Sequence, residues 1–310
     1  MLRDRRRAVT IKGGTFAEVI RAYLCSPKFA DLAQSTRTSY AYLLGIAERP
    51  EVLGAYSVDV IRPALVQAYL DGFADRPAQQ RCAKTAISAL ERWAIVRDLI
   101  PYPITTGTEA PGGSGGYEPW PDELVALAER VCKPHLARVI TLAGNTGQRG
   151  SDLVKMRWTD IETYEGRLGI NVTQRKTGLK IWVPFTQELI GVILTWERRP
   201  APILLKEDGQ PFTRAQLSDQ WLRARDTMPA LAPLKELGLV MHGLRGTACV
   251  RLLRVGAHTR QIADMVGMSE LMVKRYTRFA EQRKNALAAV IRLDERKPNA
   301  SKSDPSKSTG

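Results

Sequence analysis

The sequence has few of the features that mark membrane, secreted or metal-binding proteins. It contains no run of about 18 apolar residues, which excludes a membrane-spanning helix. Its basic beginning, MLRDRRRAVTIKGG, is not followed by an apolar segment and is therefore no secretory signal. Its cysteines are scattered, with no C-x-x-C pair and no neighbouring histidine, which argues against zinc and against a disulfide framework. These absences predict a cytoplasmic protein with reduced thiols.

Positive charge, by contrast, is abundant. Lysine and arginine number 46 against 32 aspartates and glutamates, so the 310-residue chain carries a formal net charge of +14. An excess of this size predicts a polyanionic partner, nucleic acid first and an anionic membrane second. The composition, 44% hydrophobic and 25% charged, is that of a soluble globular protein, and the length allows two domains.

A Gly-, Thr- and Ser-rich stretch, TTGTEAPGGSGG at residues 105–116, marks the predicted domain boundary. This composition is typical of a flexible linker with little capacity to pack. We expect a basic arm at residues 1–13, a helical domain at 14–104 and a second domain at 117–294. The last stretch, residues 295–310, has no aromatic residue and is expected to be disordered.

Helical patterns fill the first domain. TFAEVIRAYL begins with Thr15 and has Glu18 three residues later, which is the signature of a capping box. Three more helices are predicted at STRTSYAYLLGIAE, RPALVQAYLDGF and PAQQRCAKTAISALERWAIVRD.

The last of these helices has one apolar and one basic side. The apolar side, predicted to pack on the other helices, holds within about 60° of arc Ala83, Ile87, Leu90 and Ala94. The opposite side holds Arg81, Lys84 and Arg92. The basic side is either an ordinary solvated face or, as the net charge favours, a DNA-facing surface.

The second domain combines helices with a hairpin. PDELVALAERV and LARVITLAGNTG have helical spacing, as does most of residues 186–293. GRLGINVTQRKTGLKIWVPF predicts two strands around an RKTG turn, because apolar residues alternate on both sides of that turn. The predicted fold class is therefore mainly α with a small β-sheet.

Four motifs in the second domain place basic groups or a tyrosine where they could serve one site. Arg149 follows a glycine turn in NTGQRGSDLVKMRWTDI, and Lys176 lies in the hairpin turn QRKTGLK. His242 and Arg245, in MHGLRGTACVRLL, are spaced to point to one side of a helix. Tyr276 lies among cations in GMSELMVKRYTRF, whose pattern predicts a short helix. Each motif alone is more often structural, as a solvated arginine, a turn lysine, a chance H-x-x-R pair or a tyrosine at a core edge.

The conjunction of the four motifs, in this order and at these distances, resembles the tyrosine recombinase (phage integrase) family. TGQRGSDLVKMRWTDI is similar to the family's first box, including the acidic residue three places after its arginine. That residue is Asp152. Ser151 is predicted to start a helix that carries Leu153 and Met156 on one face, and Asp152, in its first turn, suits the positive end of the helix dipole. HGLRGTACVRLLRVGAHTRQIADMVGMSELMVKRYTR looks like the family's second box nearly end to end.

The resemblance covers roughly residues 14–293 and implies an architecture. It implies a helical, SAM-like core-binding domain before the linker and a catalytic domain after it. Because the core-binding pattern begins near residue 14, we expect the Xer or Cre type of organisation, without the separate arm-binding domain of lambda-type integrases. The implied partners are double-stranded DNA at a specific site and a homotetramer on paired sites. An accessory DNA-bending or directionality factor is left open, and the implied location is the nucleoid in a bacterial cytoplasm, with a bacterial or phage origin.

The resemblance also implies roles for the motif residues. Arg149 and Arg245 would bind the scissile phosphate, since a guanidinium binds phosphate oxygens bidentately and keeps its proton. Tyr276, whose phenolate nearby guanidinium groups are expected to favour, would attack phosphorus to form a 3′-phosphotyrosyl link. Lys176 would protonate the leaving 5′ oxygen. His242 is either the base that takes the tyrosine proton or a hydrogen-bond donor to the phosphate. The resemblance implies that no ATP, metal or other cofactor is needed, and the lack of a Walker lysine loop and of a metal-ligand cluster in the sequence agrees with this.

One position departs from the family pattern. Met268 stands where the family usually has a histidine or tryptophan that donates a hydrogen bond to the scissile phosphate, and a thioether cannot donate. Losing such a bond costs about 1.5–3 kcal/mol, so we expect slower but real catalysis. Two alternatives stay open: a DNA-binding member that has lost catalysis, and a type IB topoisomerase with the same residue set. Residues 281–293 are predicted to form a helix with an apolar stripe. This helix would dock either on a neighbouring protomer or in the core of its own subunit.

Overall fold

The computed structural model describes residues 14–113 and 116–294. The predicted basic arm and C-terminal tail lie outside the described residues. The chain divides into two compact units, Met1–Gly115 and Gly116–Gly310. It is mainly α-helical with one small sheet, which confirms the predicted fold class. None of the described helices is both long and apolar enough to cross a membrane.

The first unit is built from helices with apolar faces turned to one core. Its α-helices are α1 (Phe16–Leu24), α2 (Pro27–Ala30), α3 (Gln34–Ala47), α4 (Pro63–Asp71) and α5 (Pro77–Ile95). The Thr15 N–H donates to Glu18 Oε2 at 2.8 Å, as the predicted capping box requires. All four apolar residues predicted to face the core on α5 are fully buried: Ala83, Ile87, Leu90 and Ala94.

The beginning of the predicted linker is packed on this first unit. Glu91, a buried residue of α5, accepts through Oε2 the backbone N–H of Ile104 at 2.6 Å and that of Thr105 at 2.5 Å. The structure thus differs from the expectation of a segment with little capacity to pack. The segment has few side chains of its own that pack, but its backbone groups are bound by side chains of α5.

The second unit surrounds a three-stranded antiparallel sheet with helices. The strands are β1 (Ile161–Tyr164), β2 (Arg167–Thr173) and β3 (Lys180–Pro184), in the order β1-β2-β3. The helices are α6 (Asp122–Val131), α7 (Pro134–Thr146), α8 (Gly150–Leu153), α9 (Gln187–Ile193), α10 (Arg214–Thr227), α11 (Ala232–Glu236), α12 (Gly243–Arg254), α13 (Thr259–Val266) and α14 (Glu270–Asp294).

The sheet contains the predicted hairpin and one additional strand. Strands β2 and β3 pair with Ile170 opposite Val183 and Val172 opposite Ile181, around the predicted turn. The sequence pattern did not predict β1, because its side chains are exposed or half-buried and show no apolar alternation. Pairing with β2 satisfies its backbone groups instead.

Two helices of this unit differ in length from the prediction. The α8 helix ends at Leu153, whereas the pattern placed Met156 on the same helix. The α14 helix runs for 25 residues, although the segment around Tyr276 was expected to be a short helix. Its second half carries the apolar residues Val290 and Ile291, which are 53% and 46% exposed, so this stripe does not dock in its own core. Docking on a neighbouring protomer stays a prediction.

Candidate active site

Residues from four separate motifs line one cavity of about 380 Å³ in the second unit. All five side chains predicted to be catalytic reach it, together with the methionine that departs from the family pattern. The lining residues are Arg149, Gly150, Ser151, Lys176, Arg214, His242, Arg245, Met268, Met272 and Tyr276. Among the described residues, no cluster of His, Cys, Asp or Glu could hold a metal ion.

Arg149 reaches the cavity from a turn that requires glycine. Gly147 ends α7 with a φ of +64°, and a Cβ at this position would lie 2.6 Å from Val266 Cγ1. Arg149 then caps α8, and its Nη1 donates to Gln174 Oε1 at 2.7 Å. The guanidinium is therefore oriented by a side chain next to the hairpin turn, and Arg149 lines the cavity.

Gln174, which sequence reasoning missed, connects Arg149 to the helix behind it. It is fully buried, and its Nε2 donates to Val266 O at 2.9 Å and to Gln148 Oε1 at 3.1 Å. A Cβ on Gly267, whose φ is +64°, would lie 2.2 Å from Gln174 Nε2. The only sequence signal was its position just before the RKTG turn, and a polar residue next to a turn is too common to single out.

Asp152 holds the hairpin turn in place, in addition to the expected position at the start of α8. Its carboxylate is buried, and Oδ1 accepts the backbone N–H of Arg175 at 3.0 Å. Arg175 directly precedes Lys176, which is exposed at the hairpin tip and lines the cavity. Oδ2 lies 4.0 Å from Arg149 Nη1. One carboxylate thus holds the turn that carries Lys176 and lies beside the guanidinium of Arg149.

Arg245 is a buried cation fixed by two carbonyl groups. Its Nη1 donates to Gly147 O at 2.5 Å and its Nη2 to Gly267 O at 3.2 Å, and only 3% of the residue is exposed. Burial, with the neighbouring charge of Arg149, lowers its pKa to about 10. Arg245 therefore stays protonated at neutral pH, held between the C-terminal ends of α7 and α13.

His242 and Tyr276 are in direct contact at the cavity wall. The Tyr276 hydroxyl lies 3.2 Å from His242 Nε2. Gly246 permits this approach, because a Cβ there would lie 2.8 Å from Tyr276 Cδ1. Tyr117 packs edge-on against the imidazole, with the ring centres 4.9 Å apart. The imidazole is thus held between two tyrosine rings.

Burial decides the protonation of both groups. It lowers the pKa of His242 to about 4, assisted by the charges of Arg245 and Arg214, so the imidazole is neutral at neutral pH. Burial raises the pKa of Tyr276, and the opposing effect of Arg245 does not cancel it. The guanidinium groups of Arg245 and Arg149 do favour the phenolate, as expected, but desolvation of the phenolate outweighs their attraction in the free protein. A base is needed to remove the Tyr276 proton.

Arg214 is the second residue that sequence reasoning missed. It lies at the first position of α10, far from all four motifs in sequence. The capping box formed by Thr213 and Gln216 could have marked the start of this helix, but nothing in the sequence indicated that the helix begins at the cavity.

The predicted DNA-facing residues lie in the first unit, on α5. Lys84 donates to the Thr108 carbonyl, and Arg81 donates to the Gly112 carbonyl at 3.0 Å. Arg92 is exposed and donates to the Ser88 carbonyl within its own helix at 3.2 Å. Two of the three cations therefore bind the segment after α5, and a role of the stripe in DNA binding stays a prediction.

Comparison with known proteins yields one family and a set of related folds. A model described as "Phage integrase family" matches residues 121–283. No curated protein sequence matches the chain.

Three solved relatives share the fold. Lambda integrase, as a dimer bound to a COC′ core site, is 21% identical over 86% of this chain and 77% of its own, with a TM-score of 0.69. The Tn1549 transposon integrase, in complex with circular intermediate DNA, is 14% identical over 85% of this chain and 95% of its own, with a TM-score of 0.64. The XerH site-specific recombinase, bound to a palindromic difH substrate, is 15% identical over 83% of this chain and 80% of its own, with a TM-score of 0.62.

Proposed function

Because this chain belongs to the phage integrase family, we propose that it is a site-specific tyrosine recombinase that cuts and rejoins DNA through Tyr276. The observation that carries this proposal is the contact between the Tyr276 hydroxyl and His242 Nε2, at 3.2 Å, inside a cavity lined by Arg149, Lys176 and Arg245. A nucleophile, a neutral base and several cations in one cavity suit attack on an anionic phosphodiester.

The cations have the larger part of the work in this reaction. Attack on phosphorus builds negative charge on the non-bridging oxygens, and positioned guanidinium groups stabilise that charge without reorganising. Arg149 is oriented by its hydrogen bond to the Gln174 side chain, and Arg245 by its hydrogen bonds to two backbone carbonyls. Both are thereby prearranged to bind the scissile phosphate.

In the first step, the Tyr276 oxygen bonds to phosphorus while the bond from phosphorus to the 5′ oxygen breaks. Neutral His242, protonated on Nδ1, accepts the phenol proton at Nε2, and the raised pKa of Tyr276 makes such a base necessary. Lys176, carried by the hairpin turn, gives a proton to the leaving 5′ oxygen. The phosphate remains on the 3′ side as a phosphotyrosyl ester.

In the second step, a 5′ hydroxyl attacks the phosphotyrosyl ester and gives its proton to Lys176, while the bond from phosphorus to Tyr276 breaks and the phenol takes its proton back from His242. Because one phosphoester replaces another, no bond energy has to be supplied, and we expect neither ATP, a metal nor another cofactor. The partner is double-stranded DNA with a specific site. Lambda integrase has been seen as a tetramer bound to a Holliday junction, and we propose the same assembly state here, on two paired sites. A cytoplasmic, bacterial or phage setting and an accessory bending or directionality factor stay predictions.

Two other functions share part of this reasoning. A DNA-binding member that has lost catalysis is suggested by Met268, which cannot donate a hydrogen bond to a phosphate. A type IB topoisomerase would use the same residues to relax supercoiled DNA without a specific site. The first would bind DNA without forming a covalent link, and the second would relax any supercoiled plasmid.

Covalent capture tests the proposal and locates the cleavage position in the same experiment. The purified protein is incubated in EDTA with fragments of the DNA that adjoins its gene, stopped with detergent, and the covalently linked DNA is sequenced. We expect linked ends at one defined position. Tyr276→Phe should give none, whereas Tyr164→Phe, the same change on the exposed strand β1, should react like the wild type. Absence of linked DNA with the wild type, or its persistence in Tyr276→Phe, would contradict the proposal.

A further inference from the structure

Arg214 is the cavity cation that none of the four sequence motifs contains. It stands at the first position of the 14-residue helix α10, and its side chain is exposed on the cavity side. Two features fix the position of Arg214: the N-terminal cap of α10 and the buried side chains that anchor this helix. Thr213 and Gln216 cap the helix reciprocally, and Leu217 and Trp221, each 1% exposed, anchor it in the core.

The Arg214 side chain lies directly against the loop that carries Arg149. A Cβ added to Gly150, the residue after Arg149, would lie 2.9 Å from Arg214 Nε. A side chain at this position would push the Arg214 side chain aside, so the glycine lets the guanidinium lie beside the loop. Two arginines from distant parts of the sequence thus line the same cavity.

The positive charge of the Arg214 guanidinium is not neutralised by a carboxylate among the described residues. Within residues 14–113 and 116–294 it forms no ion pair, and its hydrogen bond goes from Nη1 to the neutral hydroxyl of Ser218. The charge is felt across the cavity, because it helps to lower the pKa of His242 more than Arg149 or Lys176 does. Arg214 also lines the same cavity as His242 and Tyr276, where a phosphate attacked by Tyr276 would have to lie.

We propose that Arg214 donates a hydrogen bond to the scissile phosphate and supplies the contact that Met268 cannot make. Met268 lines the same cavity, and its thioether has no proton to donate. An arginine offers several N–H donors and a permanent charge, so one such side chain can replace the missing donor. This inference rests on the proposed recombinase function and adds one residue to its phosphate-binding set.

A double-mutant cycle tests the compensation. The site found by covalent capture is prepared as a suicide substrate, nicked beside the cleavage position, and the rate of covalent complex formation is measured in single turnover. We expect Arg214→Ala to lower this rate about 10- to 100-fold, as loss of one hydrogen bond to a charged group does. In a Met268→His background the same substitution should cost less than about threefold, because the histidine restores a donor.

A substrate with altered charge shows whether Arg214 acts on this phosphate. A methylphosphonate at the cleavage position lacks one anionic oxygen, so its reaction needs less positive charge. The difference between wild type and Arg214→Ala should therefore shrink on this substrate. Arg223→Ala, an exposed arginine further along α10, removes the same charge outside the cavity and should leave all rates unchanged.

The outcomes separate this inference from the function on which it rests. If the wild type forms no Tyr276-linked DNA, both are overturned. If the wild type reacts and Arg214→Ala reacts within twofold of it, only the role of Arg214 is overturned. Equal losses in the Met268 and Met268→His backgrounds, or an unchanged difference on the methylphosphonate, would likewise reject compensation at the scissile phosphate.

Discussion

The buried His242 makes the stability of the second unit depend on pH. Its pKa falls from 6.5 to about 4 on folding, because burial and the charges of Arg245 and Arg214 disfavour the imidazolium. Between these two values the unfolded chain binds a proton that the folded unit does not. The free energy of unfolding therefore rises with pH in this window, and acidification from pH 7 to pH 4 lowers it.

The size of this effect follows from the difference in pKa. A fall from 6.5 to about 4, at about 1.36 kcal/mol for each pKa unit, corresponds to about 3 kcal/mol. A typical domain is stable by about 5–15 kcal/mol, so this single group accounts for a measurable share of the loss in acid. Replacing His242 by glutamine removes the titration, and the unfolding free energy should then change less with pH by about that amount.

Urea unfolding followed by tryptophan fluorescence measures this dependence. Five of the six tryptophans lie in the second unit, so the signal reports mainly on it. Unfolding free energies are compared at pH 7 and pH 4.5 for the wild type and for His242→Gln. The matched control is His258→Gln, which alters an exposed histidine at the start of α13 and should keep the pH dependence of the wild type. Equal pH dependence in the wild type and His242→Gln would refute the reasoning.

Three further predictions concern other contacts. In an Arg214→Ala background, Met268→His should speed covalent complex formation about 10- to 100-fold by restoring a phosphate donor. Met268→Leu in the same background should leave the rate unchanged, and an unaltered rate in the histidine variant would mean that this position only packs. Asp152→Ala should slow the reaction, measured as the single-turnover rate, because the hairpin turn loses the acceptor for the Arg175 N–H. Asp152→Asn keeps an oxygen at this place, so its rate should fall less. Glu91→Ala should lower the unfolding free energy of the first unit by about 1.5–3 kcal/mol and expose residues 104–112 to proteolysis, and an unchanged cleavage pattern would contradict the observed packing.

Local patterns in the sequence were sufficient for much of the fold. The alternation around the RKTG turn predicted the hairpin, and the apolar spacing on α5 predicted the four residues that are fully buried. Both signals are local, because the periods of strands and helices are set by the backbone itself. The exposed strand β1 carries no such period, so only its pairing with β2 made it a strand.

The residues gathered in the cavity divide in the same way. The motif text indicated Arg149, Lys176, His242, Arg245 and Tyr276, because their order and spacing resemble a known family. Gln174 and Arg214 could not be found by that route, since each becomes part of the site only when distant elements meet. The raised pKa of Tyr276 could not be predicted from the sequence either, because it results from burial in the folded unit, which the neighbouring residues in the chain do not reveal.

The sequence by itself determined the helical class, the hairpin and the set of groups able to act on a phosphodiester, because these depend on residue types and short spacings. Tertiary structure alone decided that α10 begins at the cavity, that Asp152 ties the hairpin turn to α8 and that His242 is neutral. Contacts between segments far apart in the chain, and the water they exclude, have no local pattern from which they could have been predicted.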